Sequence, residues 1–150
     1  MKNGLCIGLG ALGAAVAGLF GGWDAAMATL GIFMLADYAT GLIVAGVFHR
    51  SPKTETGALE SKAGLKGLLR KGGILLVVLV ACRLDLTLGS HFIRDAAVIA
   101  FTVNEALSVT ENLGLMGVPV PAPVMNAIEV LKKQTDAAGA KQGPAHGKKE

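Results

Sequence analysis

An all-helical membrane protein is the fold class that the sequence predicts, and two observations predict it. Hydrophobic residues make up 52% of the 150-residue chain, its mean hydropathy is +0.55, and only 17% of its residues are charged. Ordinary globular domains carry about 25% charged residues. The basic residues also cluster, between His49 and Lys71 and again after Leu131. Apolar stretches that alternate with basic loops are typical of membrane-spanning helices.

Four apolar segments have about the length that a hydrocarbon core requires. The first two run from about Gly4 to Phe20 and from about Ala25 to Phe48, with a Gly-Gly-Trp-Asp turn between them. The next two run from about Gly72 to Leu88 and from about Phe92 to Met116, with a short polar turn between them. We therefore predict about four transmembrane helices, in a membrane domain of residues 1–133.

The C-terminal region follows a different pattern. Prolines at positions 119, 121 and 123 end the fourth segment, because proline removes a backbone donor and clashes with the preceding turn. Apolar residues then recur at helical spacing from Val124 to Leu131, which predicts a short amphipathic helix on the membrane surface. Residues 134–150 are rich in Ala, Gly and Lys and are predicted to form a disordered polar tail.

Basic side chains between the apolar segments predict the orientation. Cytoplasmic loops are enriched in Lys and Arg, so Lys2, the loop from His49 to Lys71 and the basic pair at 132–133 are all expected inside. Both termini are then cytoplasmic, and anionic lipids are the expected partners of the basic loop. The side chains expected at this membrane surface are Arg50, Lys53, Lys62, Lys66, Arg70 and Lys71.

The first apolar segment has a second interpretation. Lys2, the apolar stretch after it and Ala15-Val16-Ala17 resemble a signal peptide with a small-residue cleavage site. Another long apolar segment follows almost at once, which favours a first transmembrane helix. Cleavage would leave about three spans and place the new N-terminus outside.

Small residues recur every four positions in the first segment, at Gly10, Ala14, Gly18 and Gly22. Such a row lets helices approach closely, so we expect a helix-packing surface; the alternative is that Gly and Ala are simply common in membrane helices. The same stretch contains G-x-G-x-x-G at 8–13. A dinucleotide-binding helix shows polar residues to water after this motif, and residues 14–22 contain none.

Ionisable residues inside the apolar segments are the main functional candidates, because such groups are costly at membrane depth and face protein or water. Asp37 lies within the second segment, and Arg83 and Asp85 interrupt the third. The fourth segment carries a polar stripe, with intervals of three, four and seven residues that suit one side of a helix. The stripe consists of Asn104, Glu105, Ser108, Glu111 and Asn112.

We expect this stripe, together with Asp37, to line a pore or to contact neighbouring subunits. Pairing with Arg83 as structural glue is one alternative, and a proton relay through Asp37, Glu105 and Glu111 is another. Nothing in the sequence supplies the substrate site or second half of a transporter, which weighs against the relay.

Enzymatic and nucleic-acid functions are not favoured. The three histidines are scattered among loops and tail, and Cys6 and Cys82 lie in apolar runs without metal-ligand spacing. No catalytic site, cofactor or metal is therefore expected. The net charge of +3 is accompanied by one Trp and one Tyr, too few for a base-stacking surface.

Three short segments occur in a fixed order along the chain. They are Asp-Tyr-Ala-Thr-Gly at 37–41, Ser-Lys-Ala-Gly-Leu-Lys-Gly-Leu at 61–68 and Asn-Glu-Ala-Leu-Ser-Val-Thr-Glu-Asn at 104–112, followed by Gly117, Pro119 and Pro121. With this ordered set, the sequence from about Trp23 to Lys132 resembles the phage holins of the toxin-secretion/phage-lysis group.

The resemblance implies a non-enzymatic protein of the bacterial cytoplasmic membrane. A holin accumulates there, forms homo-oligomers and opens large non-selective lesions, so that an endolysin reaches the cell wall without a stable complex, or a toxin leaves the cell. A small ion channel, a proton-coupled transporter and a membrane-anchored interaction protein are the alternatives that the residues leave open.

Overall fold

A computed structural model describes residues 2–140 as helices joined by short turns and one longer loop. The predicted all-helical fold is confirmed, and no strand occurs in these residues. The second helix continues into a π-helical segment, Val44–Phe48. The five α-helices are α1 (Lys2–Leu19), α2 (Ala25–Ile43), α3 (Ser61–Leu88), α4 (Phe92–Leu115) and α5 (Ala122–Ala140).

One helix within residues 2–140 is long and apolar enough by itself to cross a membrane. It is α2 with its π-helical extension, Ala25–Phe48. Cys6–Leu19 of α1 is apolar but shorter. The predicted count of four spans is therefore not confirmed, because α3 and α4 carry charged residues within their apolar stretches.

Two predicted boundaries differ from the structure. Helix α3 begins at Ser61, so the prediction that the basic loop extends to Lys71 is wrong beyond Glu60. Lys, Leu, Ala and Arg at 62–71 are good helix formers and extend the apolar segment as one continuous helix. Helix α5 continues past Lys133 to Ala140, into the segment for which we predicted disorder. The remainder of that predicted tail, 141–150, lies outside the described residues.

The hydrophobic core lies among α2, α3 and α4. Helix α4 is central, since α2, α3 and α5 all pack against it, whereas α2 and α3 touch each other less. The core residues of the three helices are Met27, Leu30, Met34, Ile74, Val78 and Val98.

The outer surface of this bundle is apolar. Leu35 on α2 and Leu69 and Leu86 on α3 each expose more than 60% of their surface. Most described side chains of α1 are also exposed, including Ile7 and Leu12. Soluble helical bundles place charged and polar residues on the outside, so this arrangement is unlike theirs.

Candidate functional site: a buried charge network between three helices

A lysine on α3 joins two carboxylates on two other helices. The Nζ of Lys71 donates to Oδ2 of Asp37 on α2 at 2.7 Å, and it also donates to Oε2 of Glu105 on α4. The three side chains retain 11%, 10% and 5% of their exposure, respectively. One ammonium group therefore contacts two carboxylates, and all three side chains are largely shielded from solvent.

An amide on α4 completes the network. The Nδ2 of Asn112 donates to Oδ1 of Asp37 at 3.1 Å and to Oγ1 of Thr40 at 2.9 Å, and it lies 3.3 Å from the backbone oxygen of Asp37. Within the part of the chain that the structure describes, every buried side-chain nitrogen and oxygen has a hydrogen-bond partner. Buried polar networks are stabilising only when they are satisfied in this way.

The core stripe of each helix places these residues together. On α2, Asp37 follows Leu30 and Met34 at intervals of seven and three residues; on α4, Glu105 and Asn112 follow Val98 at intervals of seven. Such intervals keep side chains on one helix face. Lys71 likewise precedes the core residues of α3, Ile74 and Val78. The network is therefore a polar continuation of the hydrophobic core.

A second ionic cluster lies at the other end of the bundle and is centred on Arg94. Its Nη1 donates to Oδ2 of Asp24 at 2.7 Å and to Oδ1 of Asp95 at 3.2 Å, and its Nε donates to the backbone oxygen of Phe20 at 2.8 Å. Arg94 thereby fastens the α1–α2 turn to the first turn of α4. The hydrogen bond from Arg94 lowers the pKa of Asp24, and the backbone N–H of Met27 contributes in the same direction.

The α3–α4 turn lies at this same end. Asp85 accepts hydrogen bonds from the backbone N–H groups of Ile93 and Arg94, at 3.2 and 2.8 Å, and from the hydroxyl of Ser90. It therefore caps the N-terminus of α4 from another helix. Arg83, the other residue that interrupts the third apolar segment, is exposed.

The polar stripe predicted on α4 consists of two rows. Glu105 and Asn112 are buried against α2 and α3, whereas Asn104 and Glu111 are exposed and Ser108 is partly buried. Adjacent positions of an α-helix differ by about 100°, so 104 and 111 form one row and 105 and 112 another. Glu105 pairs with Lys71 and not with Arg83, the partner in the alternative interpretation of the stripe.

Helix α5 packs along the outer row of α4. Ile128 is its buried anchor. The two helices border a cleft of about 300 Å³, lined by Asn104 and Leu107 on α4 and by Lys132 and Asp136 on α5. The predicted helix after the prolines is therefore present, and its contact in the structure is with α4.

The predicted small-residue row is only partly helical. Gly10, Ala14 and Gly18 lie in α1, and a Cβ added at either glycine would meet no atom within 4 Å. Gly22 lies beyond the end of α1 at Leu19, with a φ of 103°, so its assignment to the helical row is wrong. The turn needs a residue that tolerates positive φ at that position, which accounts for the glycine.

Lys71 is also placed differently from its prediction. We expect it from the sequence at the membrane surface with its basic neighbours, but its side chain is only 11% exposed and lies in the two ion pairs. Its spacing of three and seven residues from Ile74 and Val78 is the sequence signal that places it on the core face. The other five predicted surface residues are all exposed: Arg50, Lys53, Lys62, Lys66 and Arg70.

Comparison with known proteins identifies the family. The bacteriophage holin family matches residues 14–133. The chain belongs to the bacteriophage holin family. A probable holin of Bacillus phage phi105 is 31% identical over 117 residues, which cover 77% of this chain and 81% of the phage protein. The resemblance predicted from the ordered motifs is thus confirmed.

Bacterial relatives of this holin-family chain are similar over most of their length. An uncharacterised protein of Halalkalibacterium halodurans is 39% identical over 127 residues, covering 81% of this chain and 88% of its own. An uncharacterised protein of Listeria innocua is 36% identical over 145 residues, which cover 96% of this chain and 95% of that protein. No solved structure matches the chain.

Proposed function

We propose that this protein is a holin that forms homo-oligomers in the bacterial cytoplasmic membrane and opens large, non-selective lesions. Besides the family, one observation carries the proposal: the buried charges of the central helices pair with one another inside a bundle whose outer surface is mostly apolar. Such a protein places its polar groups against protein and its leucines against lipid. The role is non-enzymatic, and the lesion releases an endolysin or a toxin without binding it stably.

The internal pairing supports membrane insertion of α3 and α4 despite their charges. An unpaired charge in hydrocarbon is costly, but Lys71 on α3 pairs with Glu105 on α4 and with Asp37, and Asp85 is satisfied by the start of α4. At about 1.5 Å per residue, both helices exceed the roughly 30 Å of a hydrocarbon core. With α1 and α2, they make four spans in two hairpins.

The Arg94 cluster supports this hairpin topology. It brings the α1–α2 turn and the start of α4 to the same end of the bundle, as two hairpins require. The basic loop after Phe48 is then at the opposite end, which we assign to the cytoplasm together with both termini. Arg50, Lys53 and the exposed basic residues at the start of α3 contact anionic lipid there.

Two exposed features are suited to oligomerisation. The row of Gly10, Ala14 and Gly18 on α1 has open space in front of it. The outer row of α4, with Asn104 and Glu111, is polar and exposed, so it must find another subunit or water once the helix is in lipid. A ring of subunits that turns this row towards an aqueous lumen meets that requirement.

Release of cargo of graded size from vesicles tests the proposal. The full chain is incorporated at increasing density into vesicles of phosphatidylglycerol and phosphatidylethanolamine that contain a small dye and a protein-sized dextran. A holin is expected to release both above a threshold density. Release of ions alone, with selectivity, favours a channel or transporter, and inserted protein that releases nothing favours a membrane-anchored interaction protein.

A matched experiment in cells adds the biological readout. The chain is expressed in a bacterial host with and without a cytoplasmic endolysin that lacks an export signal. Abrupt lysis is expected only when both are present, because the lesion must let the folded enzyme cross the membrane. Lysis that is independent of the membrane protein, or none at all, contradicts the proposal.

A further inference from the structure

We propose that Lys71 is the residue that holds the closed state of this protein and so sets when it permeabilises the membrane, a regulatory role that rests on the proposed holin function. Lys71 is the one cation among the side chains that form the central network, and it contacts a carboxylate on each of the two neighbouring helices. Lys71 therefore connects α2, α3 and α4 by ion pairs.

The charge balance of the network makes Lys71 different from its other members. Asp37 comes from α2 and Glu105 from α4, while the remaining partners, Asn112 and Thr40, are neutral. Without the ammonium group, the two carboxylates would lie close together with little exposure to solvent. Carboxylates close enough to share one ammonium group repel each other strongly where the dielectric constant is low, and each would also lose its ion-pair partner.

The packing of α3 makes this contact especially important. Helices α2 and α3 leave an open groove between them, about 400 Å³ in volume and lined by apolar groups such as Met34, Leu68 and Leu75. Lys71 lies in this groove beside Tyr38. Because direct contact between α2 and α3 is limited, the Lys71 ion pair is the main polar connection between these two helices.

Loss of Lys71 changes which environment can stabilise the two carboxylates. With Lys71 in place, Asp37 and Glu105 are satisfied inside one chain, and the bundle surface stays compatible with lipid. Without it, the carboxylates need water, and the water-filled interior of an oligomer is the available source within the membrane. Loss of the ammonium group therefore favours the open assembly.

Lysis timing with charge-altered variants tests this role. Lys71→Met is compared with Lys71→Arg, which keeps the charge, and with Arg83→Met, which removes an exposed charge from the same helix. At matched membrane levels, Lys71→Met is expected to shorten the time to lysis several-fold. Lys71→Arg and Arg83→Met are expected to keep the lysis time of the unsubstituted protein. Equal timing for Lys71→Met and Arg83→Met would overturn the proposal.

A charge-neutral variant separates the effect from a folding defect. Asp37→Asn, Lys71→Met and Glu105→Gln together remove all three charges, so the repulsion disappears and early lysis is expected to disappear with it. If the single Lys71→Met variant does not accumulate, this triple variant decides: normal accumulation without early lysis supports the proposal, and failure to accumulate contradicts it. Absence of lysis by the unsubstituted protein would instead refute the holin function itself.

Discussion

The carboxylate of Asp85, on α3, accepts a 2.8 Å hydrogen bond from the backbone N–H of Arg94, in the first turn of α4. It also accepts from the N–H of Ile93. The residue that directly precedes α4, His91, makes no side-chain capping bond. Asp85 therefore caps the N-terminus of α4, although it belongs to the preceding helix. Its negative charge lies at the positive end of the α4 dipole.

Substitution of this capping residue tests the connection between α3 and α4. Asp85→Ala leaves two backbone donors of α4 without acceptors, so we expect a clearly lower unfolding temperature in detergent, measured by circular dichroism. Asp85→Asn keeps an acceptor oxygen, so its unfolding temperature is expected to lie between those of Asp85→Ala and the unsubstituted protein. Arg83→Ala removes an exposed charge two residues away on the same helix and serves as the control. If Arg83→Ala and Asp85→Ala destabilise equally, the capping interaction is unimportant.

Acidification is expected to loosen the α1–α2 turn through Asp24. Arg94 holds the pKa of Asp24 below its usual value of 3.8, so the stabilisation is present above pH 3.8 and is lost as the pH falls through the lower, folded-state pKa. The single tryptophan, Trp23, is adjacent and reports on the turn by its fluorescence. An acid transition is expected in the unsubstituted protein and not in Asp24→Asn. An identical transition in both would show that another group is responsible.

The same aspartate also caps α2 through the N–H of Met27, at 2.9 Å. Replacing a capping Asp by Ala usually costs about 1 kcal/mol of stability. Asp24→Ala is therefore expected to lower the free energy of unfolding by about that amount at neutral pH. Glu129→Ala, at an exposed site on α5, is the comparison. A loss no larger than that of Glu129→Ala would mean that the cap is not used.

The proposed topology is tested by cysteine labelling from outside intact cells, in a background where Cys6 and Cys82 are replaced. His91→Cys, in the exposed α3–α4 turn, is expected to react with an impermeant reagent. Ser61→Cys, exposed at the basic start of α3, is expected to react only after the cells are opened. The reverse pattern would invert the assigned orientation. Labelling of both from outside would remove α3 as a membrane span.

Helix α2 could be predicted well because its signal is local. A long apolar stretch with a single charged residue, preceded by Gly-Gly-Trp-Asp, predicts the range Ala25–Phe48, and the structure has the same bounds with Asp24 as the N-cap. The start of α3 is not predictable in this way, because charged residues at 62–71 are compatible with a loop as well as with an exposed helix. The basic residues before Lys71 are exposed on the helix, whereas Lys71 has partners inside the bundle, and that difference depends on the fold.

The network could be predicted only in part for the same reason. Sequence periodicity places Glu105 and Asn112 on one face of α4, but it does not say which helix that face meets. Lys71 is 34 residues from each of its acidic partners, Asp37 and Glu105. Contacts over such a separation depend on how three helices pack. The polar residues were therefore identified, while the lysine that pairs with them was not.

The outer row of α4 gives the last prediction, which concerns permeabilisation itself. Glu111 is exposed, whereas Glu105 is buried against Lys71, so the two glutamates are expected to contribute differently. Glu111→Leu removes a charge that needs water in the membrane, and it makes the closed monomer more compatible with lipid. We therefore expect it to accumulate normally and to delay dye and dextran release several-fold. Glu129→Leu removes the charge of another exposed glutamate, on α5, and is expected to leave the release time unchanged.

The double variant Glu105→Leu with Glu111→Leu removes both acidic groups of the stripe and is expected to insert normally but to abolish release or delay it strongly. Shortening the chain after Lys133 removes Asp136 from the cleft beside Asn104 and is expected to change mainly the timing. Membrane-fractionated protein levels are matched before release is compared. Normal release by the double leucine variant at equal levels would show that release does not depend on the acidic residues of the stripe. The stripe would then be excluded from the pore wall.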